Sequence, residues 1–160
     1  MMLNKMPPNT PISLVLSHLE TATKWGSRNR AMFALRRLLR IRDISVLKVS
    51  DVLGYDGKLR SHYISDDGIF YELDEEVKGE LHRYLLTRFE RTGNSLKDLV
   101  GADLDLPLFP TQKRERFSNN TLAQHFCYLD KSIWQHFVVR SAVKKASVSG
   151  RLMSSFRSVP

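Results

Sequence analysis

Residues 28–52 read RNRAMFALRRLLRIRDISVLKVSDV, and the way this stretch divides its apolar from its basic residues decides the fold. Met32, Phe33, Leu35, Leu38 and Leu39 recur at the spacing of one helix face, with Arg30 and Arg37 outside it. The first half therefore reads as an amphipathic helix with its stripe turned inward. Gly26 and Ser27 punctuate the chain just before it, and the Ser27 hydroxyl is expected to cap it. A further short helix is expected around Asp43 to Lys48. Arg40 falls between the two. Its planar fork donates two parallel hydrogen bonds and stays charged at any relevant pH, which suits it to a phosphate group. The competing reading of Arg40 is an ion pair with the nearby Asp43.

Working outward, Ile12, Val15, Leu16 and Leu19 recur at i, i+3, i+4 and i+7, which predicts a helix from about Ile12 to Thr23. Downstream, the runs Leu59 to Ile64 and Ile69 to Leu73 are separated by Ser65-Asp66-Asp67-Gly68 and read as a small hairpin whose two acids are solvated in the turn. Asp74 starts a helix in which Val77, Leu81, Tyr84, Leu85 and Phe89 keep the helical period to about Arg91, with Gly93 and Asn94 ending it. Lys97 to Pro110 reads as a mixed loop anchored by Leu104, Leu106, Leu108 and Phe109. Ser118 or Asn119 caps a last helix lined by Leu122, Phe126, Leu129 and Ile133. The expected class is α+β, mainly α, with a small antiparallel β element. The expected organisation is a tail over 1–11, one domain over 12–151 and a second tail over 152–160.

A chain of 160 residues fits one domain, and at that size about 70% of the unfolded surface can be buried. No apolar run approaches the roughly 18 residues of a membrane span. The Met1 to Asn9 start has no apolar h-region, so no secretory signal and no membrane partner are expected, and a cytoplasmic location is the default. Lys and Arg exceed Asp and Glu by 25 − 17 = 8, which favours a polyanionic partner such as nucleic acid. The charge is segregated. Arg28, Arg30, Arg36, Arg37, Arg40, Arg42 and Lys48 share their window with Asp43 alone, and Lys131 to the end is free of acids, whereas the charged residues of 66–80 are all acidic except Lys78. The five histidines show no metal spacing, no glycine-rich phosphate loop occurs, and the single Cys127 reads as a core thiol. No metal and no cofactor are expected.

The order Leu39-Arg40-Ile41, Asp43-Ile44, Leu47-Lys48-Val49 and Asp51-Val52 resembles the first conserved box of the tyrosine recombinases, the phage-type integrases. Leu108-Phe109-Pro110-Thr111-Gln112-Lys113, then Asn120-Thr121-Leu122 and His125-Phe126, is similar to a segment that precedes the second box in some integrases. Ser147-Val148-Ser149-Gly150-Arg151 is similar to the family's His-Ser-Gly-Arg element. The resemblance covers roughly Ile12 to Arg151. It implies the recombinase catalytic-domain fold and a setting of DNA integration or recombination in a mobile element. Arg40 and Arg151 would then be phosphate-binding positions, and Lys113, Arg114, Asn120 and Gln124, around the last helix, would bind DNA.

The departures from the family pattern matter as much. Val148 stands at the second-box histidine, and an aliphatic side chain neither donates nor accepts a proton. The hairpin turn, where family members present a lysine, carries Asp66 and Asp67. Tyr55, Tyr63, Tyr71, Tyr84 and Tyr128 all precede Arg151, and none has the context of the nucleophile. The resemblance therefore implies a degenerate, C-terminally truncated recombinase that binds double-stranded DNA without strand exchange. The alternative is a protein-interaction regulator that joins or inhibits a full-length tyrosine recombinase, or that self-associates.

Overall fold

The computed structural model describes residues 9–89, 96–99 and 101–139. Arg151, Val148, the basic C-terminal segment, the Gly93-Asn94 helix stop and the boundary at 151 lie outside the described residues. Among the described residues, seven helices and one hairpin follow in the order α1 (Ile12–Ala22), α2 (Gly26–Arg36), α3 (Ile41–Val46), α4 (Val49–Val52), β1 (His62–Ile64), β2 (Phe70–Glu72), α5 (Glu75–Arg88), α6 (Gly101–Leu104) and α7 (Asn119–Trp134). A π-helical turn, Gln135–Val139, continues α7. Among the described residues, no helix is long and apolar enough to cross a membrane.

Helix α2 is the hub. It packs on α1, α3 and α5, and α7 closes over α1 and α3. Of the expected stripe, Met32, Phe33 and Leu35 are buried within α2, while Leu39 is buried and Leu38 partly buried just past its end at Arg36; Ala31 and Ala34 join them in the core. The stripes of α1 (Val15, Leu16, Leu19), α5 (Val77, Leu81, Tyr84, Leu85) and α7 (Leu122, Phe126, Leu129, Ile133) meet it in one core. Asp74 caps α5 by accepting from the Val77 N–H at 2.9 Å, and Ser118 caps α7 by accepting from the Thr121 N–H at 3.2 Å.

The hairpin forms in the expected place with strands of three residues each, paired antiparallel as His62↔Glu72, Tyr63↔Tyr71 and Ile64↔Phe70. It rests on α4. The 106–110 segment is held from several sides. Leu108 N–H donates to the Leu47 carbonyl at 2.8 Å, and its own carbonyl accepts from the Tyr84 hydroxyl at 2.7 Å and from Arg88 at 2.8 Å.

Three local expectations are corrected. Ser27 does not cap α2; the helix begins at Gly26, behind Trp25 in the left-handed conformation with φ 65°. The cause is contact, because a Cβ on Gly26 would stand 1.9 Å from the Glu20 carbonyl oxygen, so α1 and α2 meet where only glycine fits. Leu106 is not a core anchor, being exposed, although its carbonyl accepts from Val49 N–H at 3.0 Å. Cys127 is exposed rather than in the core. It follows the buried Phe126, and one residue along a helix turns the side chain about 100° away from the stripe.

Candidate nucleic-acid interface

Arg40 ends the α2–α3 connection and is held by two carboxylates. Its Nε donates to Asp43 Oδ2 at 2.7 Å, and its Nη2 donates to Asp67 Oδ2 at 2.9 Å and Oδ1 at 3.0 Å. Asp43 is buried and also accepts from the Tyr71 hydroxyl at 2.8 Å, so it acts as a fixed anchor. Asp67 comes from the hairpin turn and is only half-covered. It is not simply solvated, as its place in the turn suggested. The Ser65 hydroxyl, at 2.5 Å, and then Arg40 hold the Asp67 carboxyl down at about 2. Hydrogen bonds to Asp43 first, and then to Asp67, push the Arg40 guanidinium above its ordinary range. The ion-pair reading of Arg40 is thus realised, with a second acid that lies 27 positions along the chain.

The same pairing explains where the basic run of α2 directs its charge. Arg30 forms a fork with Glu80, Nε to Oε2 at 2.6 Å and Nη2 to Oε1 at 2.9 Å, and also reaches Glu20 at 2.7 Å. Arg36 meets Asp130 at 3.0 Å, and Arg37 meets Glu76 at 3.1 Å. Acids from α1, α5 and α7 therefore answer a segment that looks almost uncompensated in sequence.

A different cluster lacks such answers. Between Pro110 and Arg116 the chain makes a tight turn, with Thr111 N–H donating to the Glu115 carbonyl at 2.7 Å and Arg114 N–H to the Thr111 carbonyl at 2.9 Å. Arg114 takes φ 64° to close it. Lys113, Arg114 and Arg116 are exposed and form no ion pair among the described residues. The turn runs into α7, whose Asn119, Asn120 and Gln124 are also exposed. Lys113, Arg114, Asn120 and Gln124 are thereby brought to one end of α7. Arg40 stands at the start of α3, which packs on α7. Arg151 lies outside the described residues.

Behind this turn is a residue that the sequence did not single out. Arg28 is 9% exposed, donates from Nη1 to the Pro110 carbonyl at 2.9 Å and from Nη2 to Asn29 Oδ1 at 3.3 Å, and leaves its buried Nε–H without an acceptor. It stacks on Phe117 at 5.3 Å and on Trp25 at 5.8 Å. No carboxylate pairs with it among the described residues, and burial lowers its pKa from the ordinary value. Asn29 is fully engaged: its amide donates to Thr23 Oγ1 and to the Lys24 carbonyl, both at 3.0 Å, so its oxygen must accept from His125 Nε2 at 2.8 Å. Burial, and then Arg28, push His125 down to about 4, so the ring is neutral at pH 7 with Nδ1 left as an acceptor. Arg28 and His125 both line a cavity of about 630 Å³ that opens between the α1–α2 turn, the 111–117 turn and α7. In sequence the Arg28-Asn29 pair looks like one more step in a basic run. A hint was Trp25 ahead of Gly26, a bulky residue where the backbone must turn left-handed.

No family model and no curated protein matches the chain. A solved structure does: the crystal structure of XerA recombinase, with a TM-score of 0.51 and 21% identity over 81% of this chain and 45% of that one. The fold is recombinase-like. The chain spans less than half of that recombinase's length. Among the described residues, no group of three His, Cys, Asp or Glu side chains could hold a metal ion.

Proposed function

We propose that this chain binds double-stranded DNA as a tyrosine-recombinase-like domain of a mobile element, in DNA integration or recombination, and that its own residues carry no strand exchange. The observation that carries the reading is the turn before α7. Three exposed cations, Lys113, Arg114 and Arg116, stand around Glu115 within four positions and form no ion pair among the described residues, while the basic residues of α2 are largely neutralised. Phosphate contacts position a protein on a duplex, and the amides of Asn120 and Gln124 add donors and acceptors for phosphates or base edges. The likeness in fold to a recombinase supports this use of the surface.

Catalytic silence is supported by Asp67. A carboxylate already occupies the outer edge of the Arg40 fork, where a scissile phosphate would have to bind. Electrostatic stabilisation of a developing phosphate charge needs donors that face it unencumbered.

The test is a salt series of fluorescence anisotropy titrations with a labelled duplex. For about six phosphate contacts, affinity should fall roughly a thousandfold between about 50 and 200 mM salt, and the double variant Lys113→Ala/Arg114→Ala should reduce the log–log slope by about 1.8. A response that is flat in salt, or a double variant with the parent's slope, would overturn the proposal.

A further inference from the structure

The cavity over Arg28 has features that a contact surface for a duplex backbone does not need. Its cationic lining residues are Lys24, Arg28, Lys113 and Arg116, against the single acid Glu115. Arg28 lines the cavity with nine-tenths of its surface covered, its Nε–H buried without an acceptor and no counterion among the described residues. A buried charge left without a partner is costly, and an entering anion relieves that cost. The backbone of a stacked duplex is held on a stiff rod and meets a surface; a small anion or a single chain unit can enter a recess.

Two exposed aromatic rings also line the cavity, Trp25 at 51% and Tyr128 at 54% exposure. Large rings half in water are platforms for other flat rings, and stacking of a base on such a ring contributes about 1–3 kcal/mol. The volume, about 630 Å³, lies inside the roughly 300–1,000 Å³ range of small-ligand pockets. The neutral His125 also lines the cavity and adds no positive charge to it.

We infer that this cavity binds a nucleotide unit with its base unstacked, the phosphate on Arg28 with Lys113 and Arg116 at the rim, and the base against Trp25 and Tyr128. A free mononucleotide and the unpaired end of a DNA strand share this chemistry. Lys113 and Arg116 are shared with the duplex-binding surface, whereas Arg28, Trp25 and Tyr128 belong to the cavity, so quenching of Trp25 by a free mononucleotide tests this site separately from the duplex-binding proposal.

Trp25 reports on its own site. In the Trp134→Phe variant it is the only tryptophan, and its emission can be followed while thymidine 5′-monophosphate, thymidine or inorganic phosphate is added. Saturable quenching by the monophosphate is expected, with thymidine and inorganic phosphate each at least about tenfold weaker. Competition with a 5′-phosphorylated oligothymidylate and with a blunt duplex separates the sources. At about 200 mM salt, where duplex binding through the shared cations is roughly a thousandfold weaker than at about 50 mM, the single strand should displace the monophosphate at least about tenfold better than the duplex, per strand end. Tyr128→Ala, on an exposed ring, and Lys113→Ala should each weaken the monophosphate about tenfold with the fold intact by circular dichroism, and Arg28→Lys should weaken it further. No saturable quenching, inorganic phosphate binding as well as the nucleotide, or equal competition by the blunt duplex would each overturn the assignment.

Discussion

Replacing Asp67 by asparagine should free the outer edge of Arg40 and show how much of the duplex affinity that carboxylate withholds. Asp67 accepts twice from Arg40 Nη2, at 2.9 and 3.0 Å, while Asp43 holds Nε at 2.7 Å from the buried side. With the charge at 67 removed, Asp43 keeps the guanidinium aimed and Nη2 becomes available to a phosphate. One added phosphate contact steepens the log–log salt slope by about 0.9, which is about 3.5-fold more loss of affinity across a fourfold rise in salt. Asp67→Lys brings a second cation to the same place and should steepen it by about 1.8, or roughly 12-fold over that range. The assay is anisotropy with a labelled duplex between about 50 and 200 mM salt. Asp66→Asn is the control, since Asp66 is exposed in the same turn and makes no hydrogen bond to Arg40. If Asp66→Asn steepens the slope as much as Asp67→Asn, the effect is general charge and the pairing argument fails. If Asp67→Asn leaves the slope unchanged, Arg40 does not face the duplex.

Two further outcomes follow from packing and titration. Gly26→Ala should destabilise the chain by at least about 3 kcal/mol, the upper end of ordinary overpacking, because its Cβ would meet the backbone oxygen of Glu20 at 1.9 Å rather than a side chain that can move away; urea unfolding checks this, and a loss below about 1 kcal/mol would contradict it. His125 titrates near 4 in the fold, against an ordinary 6.5, so between those values the unfolded chain binds the extra proton. Stability should be complete above about pH 6.5 and decline as pH falls toward about 4, and His125→Gln should flatten that part of the profile of urea midpoints.

The periodic features of the fold were legible before the structure. The stripes in α1, α5 and α7, the caps at Asp74 and Ser118 and the hairpin turn are local patterns, set by residues within a few positions of one another. Ser27 was misread because the start of α2 is fixed by a collision with Glu20, a contact between helices that no capping preference reports. The candidate site divides in the same way. The Arg40–Asp43 pair is separated by three positions and was open to view, whereas Asp67 reaches Arg40 through the folding of the hairpin onto α4. Arg28 was hidden for the opposite reason. Sequence shows it as one arginine among seven basic residues, and its distinction, burial without an acid, exists only after the acids have chosen their partners.

That choice has a consequence for the first encounter with a polyanion. Half-buried forks such as Arg30 with Glu80 look neutral from a distance, and surface charges beyond about 10 Å are screened at moderate ionic strength. Among the described residues, the arginines of α2 that a count would credit are largely answered by acids, whereas Lys113, Arg114 and Arg116 on the loop leading into α7 keep their charge unpaired, so that loop meets a diffusing strand with positive charge that no fork conceals.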